Sequence, residues 1–553
     1  MPENGTQRTN KNHHIATMKI QTFIAACAIA LAAGCLDAAA QRGIHNPMTQ
    51  AVLAVYEEEL QANPNNYTIL LNRAEEYFRH QEFVRSMADL NRALPLIPAN
   101  QKEPRLHALM LRAGIFNQTG HPQQAFDDLV DAERLAPTNL GVLIQKANTE
   151  LELGKNTEAK ADYQRILRLN PRTAEAFIGL ARVAVNENNM GLAAENLESA
   201  VNINPNNPDT YLRRSSVRKA MGDHNGAVED LVLALSVDPD NSLAMEGLVA
   251  YGDTNYPAVM AGLSSAVTAA PQVGMYRYLR AGIAQAHYNY LAALNDYKAL
   301  IEQRLYDYHG IYASIAECEF ALCRFDDALN NIDYALNRVQ DGNTCKYYTL
   351  RSRILRALGR YDEAVHAAAN ATMADRGSGD ALAELALAYT AVGRYEDASS
   401  LLGEATMNDA ENPRYPMLRA WIQEKFLNNP EAAAVQYRKV AELDMYMADQ
   451  AASLKGFALL FLGETDQAKR WMENILTNTT DYDGRTHYLA TCFYGLLNDD
   501  QKAFECAAKA LDLGYGNYFD WTENKDGRIN DLILRDDLRF LHLIAQHNAM
   551  FGL

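Results

Sequence analysis

At 553 residues the chain is long enough for several ordinary domains, and 48% hydrophobic with 22% charged residues is the composition of a folded, water-facing protein. A formal net charge of −18 makes nucleic acid or an anionic membrane surface a poor partner and a basic protein segment a fair one. No HExxH, P-loop, strand-borne GxGxxG or GxSxG occurs, the cysteines show no CxxC spacing and the histidines are scattered, so the sequence predicts neither catalysis nor a metal or cofactor.

The first forty residues form the leader, with its core at about 18–40. Met18-Lys19 precedes the short apolar run Phe23–Ala33, which is of signal-peptide length and too short to span a bilayer. Two exits compete. Ala38-Ala39-Ala40 before Gln41 fits cleavage to a soluble protein. Leu31-Ala32-Ala33-Gly34-Cys35 is similar to a bacterial lipobox, with Leu one place early, and would leave Cys35 as a lipidated N-terminus. Either exit predicts a periplasmic or outer-membrane-associated protein, touching a membrane only through that lipid.

A leading helix is expected over Met48–Ala62, and a fixed period follows. Pro64 and Pro98 are 34 apart, and Pro137, Pro171, Pro205 and Pro239 recur every 34 after one step of 39. Counting back from Pro137, small residues recur at Ala132, Ala125 and Ala113; from Pro205, at Ala200, Ala193 and Ala181. Large residues such as Leu109, Phe116 and Leu129 lie between them. This is the pattern of a hairpin of two antiparallel helices, each with one apolar face. Proline ends the second helix because the residue before it is pushed out of the α region. Gly120, Gly154, Gly222, Gly359, Gly393 and Gly463 share the turn position, predicting a backbone with φ > 0. Asn188, Asn498 and, without an evident reason, Cys323 also fall there.

Charges repeat too. Arg73 and Asp89, Arg112 and Asp128, Lys146 and Asp162, Arg214 and Asp230, and Arg280 and Asp296 are each sixteen apart, placing a cation on the first helix and a carboxylate on the second. Where the cation is lost the carboxylate goes with it, as in Leu180 with Asn196, so structural ion pairs within the hairpin are expected.

Residues 47–240 read as an N-terminal arm. Order is poorest at 241–272, where Tyr251–Pro257 interrupts a helix and is expected to kink the stack. Nearby tyrosines outnumber the core positions available, leaving Tyr278, Tyr288, Tyr306 and Tyr308 as candidate surface contacts. The C-terminal arm, 273–516, loses its prolines but repeats its phrases: Cys323-Arg324-Phe325-Asp326-Asp327-Ala328, Gly359-Arg360-Tyr361-Asp362-Glu363-Ala364 and Gly393-Arg394-Tyr395-Glu396-Asp397-Ala398. Residues 517–553 close the chain, with an amphipathic capping helix expected from Leu534, Leu538, Leu541 and Ile544.

The period, the alternation of small and large residues, the Gly turn and the closing Pro together resemble the tetratricopeptide repeat family over about residues 47–516. The resemblance implies an all-α fold, an α-solenoid of about 13 stacked helix-turn-helix units with a C-terminal cap. It also implies a concave groove lined by first helices. Carried onto this sequence, its outward positions are Met110, Ile144, Asn148, Ile178, Arg182, Leu212, Ser216, Phe320, Arg353 and Leu387. The Lys and Asn order of the subgroup that clamps a C-terminal carboxylate is absent, with Ile144 where its Lys would stand. The function expected is a non-catalytic scaffold or adaptor that binds proteins in the bacterial cell envelope. A glycan-binding envelope lipoprotein and a self-assembling structural protein are the alternatives.

Overall fold

The computed structural model describes residues 47–339, 344–445, 451–529 and 533–553. Cys35 and both processing points lie outside the described residues. Among these residues there is no strand. The leading helix Pro47–Ala62 is followed by thirteen helical hairpins, from Tyr67–Arg79 with Phe83–Ala93 to Arg485–Leu496 with Asp500–Asp512. They fall into two compact units, one ending at Tyr251 and one beginning at Gly252. Each unit is an α-solenoid of hairpins that pack on their sequence neighbours.

The small residues sit where two helices cross. Ala113, Ala125 and Leu129 are fully buried together beneath Phe116. Gly179 leaves room for the Tyr163 ring, since a Cβ there would stand 2.1 Å from Tyr163 Cζ. The Gly turns have φ between 74° and 84°, and Asn188, Asn498 and Cys323 share that conformation at 59°, 56° and 57°. Two further turns hold it with unfavourable residues, Gln81 at 61° and Tyr288 at 58°. Before the closing prolines the chain is extended, as at Asn170 (φ −144°, ψ 102°) and Asp238 (φ −133°, ψ 92°). Asn139 and Asn207 then accept hydrogen bonds from the first-turn amides and start the next helices.

Within Ser242–Ala269 the regular helix is broken at Asn255 (φ −149°, ψ 53°), two residues before Pro257. Proline removes an amide donor and crowds the carbonyl four residues back, so the helix does not run through it undisturbed.

The tail departs from the expected single helix. A 3-10 turn, Ile533–Asp536, precedes Leu538–Gln546, and the side chain of Asp537 caps the new start. This resets the register. Leu538 and Leu541 are 81% and 49% exposed, whereas Phe540, Ile544 and Phe551 are buried.

Candidate functional site

Within each unit consecutive first helices approach each other more closely than consecutive second helices do. Hydrogen bonds join them directly: Asn117 Nδ2 donates to Thr149 Oγ1 at 2.8 Å, and Ser352 Oγ to Glu384 Oε1 at 2.9 Å. Second helices are joined by long pairs, such as Arg165 with Glu133 and Lys502 with Glu473. The closer side is the inner side of the curve.

On that side of the N-terminal unit, Met110, Ile144, Ile178 and Leu212 recur every 34 residues, one on each of four consecutive first helices, all half-buried. One turn further on stand Gly114, Asn148, Arg182 and Ser216. Asn148 Oδ1 accepts from the Tyr163 hydroxyl at 2.7 Å, and Arg182 Nη2 lies 2.6 Å from Glu152 Oε1 of the preceding first helix. Ser216 is exposed and donates to Leu212 O of its own helix. The result is an apolar row flanked by a polar one.

The charged pairs behind this face meet across the hairpins that carry them. Arg73 and Arg112 grip Asp89 and Asp128 through two parallel bonds each, 2.7 to 2.8 Å long. Arg214 Nη2 stands 2.6 Å from Asp230 Oδ1, with Asp230 fully buried. Lys146 pairs with Asp162 at 2.8 Å and also with Glu133 and Glu150. Burial pushes the Glu150 carboxyl up to about 7, with the Asp162 charge adding to it.

In the C-terminal unit the corresponding face is covered by the chain itself. Phe320 is only 4% exposed, with Phe519 tilted against it at 4.6 Å between centroids, and Arg353 lies 5.1 Å from the centre of its ring. Leu387 is buried. Tyr288 packs on Tyr515, and its carbonyl accepts from Gly516 N at 3.1 Å. Tyr278 is buried, its hydroxyl 2.9 Å from that of Tyr308. The expectation that Phe320, Tyr278 and Tyr288 offer open contact surface is therefore corrected: internal packing takes them.

The strongest polar grip on this face involves residues that sequence reasoning missed. Arg356 binds Asp526 through two bonds of 2.8 Å and Glu384 through a third of 2.8 Å. Burial alone would raise the Asp526 carboxyl, but the Arg356 guanidinium overrides it and holds it below its ordinary range. Arg528 reaches Glu424 at 2.9 Å and lies 4.3 Å from the Phe461 ring. Two of the turns without Gly or Asn, at Tyr288 and Cys323, lie where the tail passes, and a third, Gln81, lies in the first hairpin. Cys323 Sγ is 3.7 Å from Thr522 Oγ1.

Models of the tetratricopeptide repeat match residues 144–208, 208–241 and 355–422. No curated protein matches the chain. Among solved structures, yeast Tom70 is 15% identical, with 73% of this chain and 96% of that one covered and a TM-score of 0.34. A tetratricopeptide repeat protein from Parabacteroides merdae ATCC 43184 is 17% identical, covering 52% of this chain and 98% of that one, with a TM-score of 0.29. YrrB, a TPR protein described as having an unusual peptide-binding site, is 19% identical over 34% of this chain and 96% of that one, with a TM-score of 0.27.

Proposed function

We propose that this chain, which is a tetratricopeptide repeat protein, is a non-catalytic scaffold or adaptor of the bacterial cell envelope that binds protein partners along the inner face of its N-terminal hairpins. Stacked helical repeats present extended binding surfaces in general. The observation that carries the reading here is the row Met110, Ile144, Ile178 and Leu212, left half-exposed on four successive first helices. At ~8–10 Å per helix step the row spans ~25–30 Å. That is the length of an extended segment of about eight or nine residues. Apolar side chains of such a segment would meet one stop per hairpin, while Asn148 and Arg182 fix its polar groups. The apolar run Phe23–Ala33 supports export, either with cleavage after Ala40 to a soluble form or with Cys35 as a lipid anchor.

The test is a pull-down from crosslinked envelope fractions with the wild-type chain and Ile144→Asp/Ile178→Asp. A stoichiometric protein lost in the variant, with helicity and melting unchanged, is the expected result. A partner retained by the variant moves binding off this face. In parallel, Cys35→Ala should shift the chain from the membrane to the soluble envelope fraction; an unchanged distribution removes the anchor.

A further inference from the structure

The inner face of the C-terminal unit already holds a peptide. From Tyr515 onward the chain leaves the last hairpin and passes three first helices of its own unit. Phe519 lies on Phe320, at the end of His309–Ala321. Asp526 is bound by Arg356, near the end of Cys345–Ala357. Arg528 is bound by Glu424, in Arg414–Lys425. The segment's fixed point lies between these contacts, in the short helix Tyr518–Thr522 that also carries Phe519. Trp521 is fully buried against Tyr488 and Tyr515, which belong to the last hairpin and the exit from it. So the crossing residues bind as a ligand would, from a tether anchored beside them.

We propose that this face is a peptide-recognition site whose resident ligand is the chain's own segment 515–528. The partner it fits is a segment with an aromatic side chain on a short helical turn, as in Tyr518–Thr522, and, seven residues later, a carboxylate. The site's chemistry defines that choice: an aromatic floor at Phe320 with Arg353 beside it, then a guanidinium at Arg356 already oriented by Glu384. Bidentate pairing of this kind discriminates for a planar carboxylate. Tethering gives the resident segment a high effective concentration, so a single weak contact does not displace it. A partner must supply both side chains. Two turns of the face also touch the segment, Tyr288 through its carbonyl to Gly516 N and Cys323 Sγ at 3.7 Å from Thr522 Oγ1. The inference goes beyond the reading of the N-terminal face and is tested without any knowledge of that face's partner.

The experiment uses the full chain with Phe519→Ala/Asp526→Asn, which frees the crossing residues and keeps the Trp521 anchor. A fluorescent peptide of residues 515–529 is titrated into this variant and into wild type. The expected result is binding to the variant at least tenfold tighter than to wild type, abolished when the peptide carries the same two substitutions. Equal affinity for both chains, or no binding to the variant, overturns the proposal. Native-state hydrogen exchange on the wild-type chain reads the same question even if the variant fails to fold. The amides of Gly516, Glu523 and Asn524, all hydrogen-bonded, should exchange through an opening that leaves the helix Arg485–Leu496 protected. Exchange only together with that helix would make the segment fixed core and sink the idea.

Discussion

Asp230 has its carboxylate fully out of water, held by Arg214, with Arg218 3.2 Å from its second oxygen. Removing one partner strands the other, so Asp230→Ala should cost about 3–5 kcal/mol. The double variant Arg214→Met/Asp230→Leu should cost clearly less, because no buried charge remains. A urea-denaturation cycle checks this, and additive losses would contradict the coupling. Glu150 behaves in the opposite sense. Its carboxyl titrates near 7 in the folded chain, above its ordinary value. The folded state therefore keeps a proton that the unfolded chain has lost, and the stability this gives in acid is lost as pH rises through about 7. Glu150→Gln should leave stability near pH 4 unchanged and raise it at pH 8 by roughly 1–3 kcal/mol. The same gain at both pH values would place the effect in packing instead.

Turns are where single residues set the cost of a whole hairpin. Gln81 is exposed and holds φ 61°, a conformation in which Gly residues at the same position have nothing near their missing Cβ. Gln81→Gly should therefore stabilise the first hairpin by roughly 0.5–1 kcal/mol. Its melting temperature or amide protection would show this, and a loss would mean the Gln side chain has an unrecognised role. Hairpins were legible in the sequence because their determinants are local and in fixed register. Arg73 meets Asp89 at the same offset at which Arg280 meets Asp296, and a proline or glycine acts on its own backbone. The covering of the C-terminal face was not legible. Arg356 and Asp526 lie 170 positions apart, with no period to relate them. The tail helix misled for a related reason. Its leucines were projected onto one uninterrupted helix, whereas the cap at Asp537 turns Leu538 and Leu541 to solvent.

At the scale of the whole molecule, the two units carry different inner faces. In the first, the row is open along four helices. In the second, the corresponding ground is closed by Phe519, Asp526 and Arg528, while Trp521, Phe540 and Phe551 are buried in their own unit. Ending the chain at Gly516 removes three buried aromatic side chains, each worth about 3–5 kcal/mol by truncation. The C-terminal hairpins should then lose exchange protection, while those from Tyr67 to Val237 keep theirs. Equal protection in the shortened chain would reduce the tail to a passive end-piece. The N-terminal row has one more consequence. Because each stop on it comes with one 34-residue hairpin, the face is a ruler graduated in whole repeats. Duplicating or excising a hairpin changes the length it measures by one division and leaves every other mark in place. An indel inside a helix rotates the rest of that helix off the row, whereas the 39-residue step between Pro98 and Pro137 leaves Arg112 paired with Asp128 as Arg73 is with Asp89, so the joints between cassettes absorb length and the cassettes themselves do not.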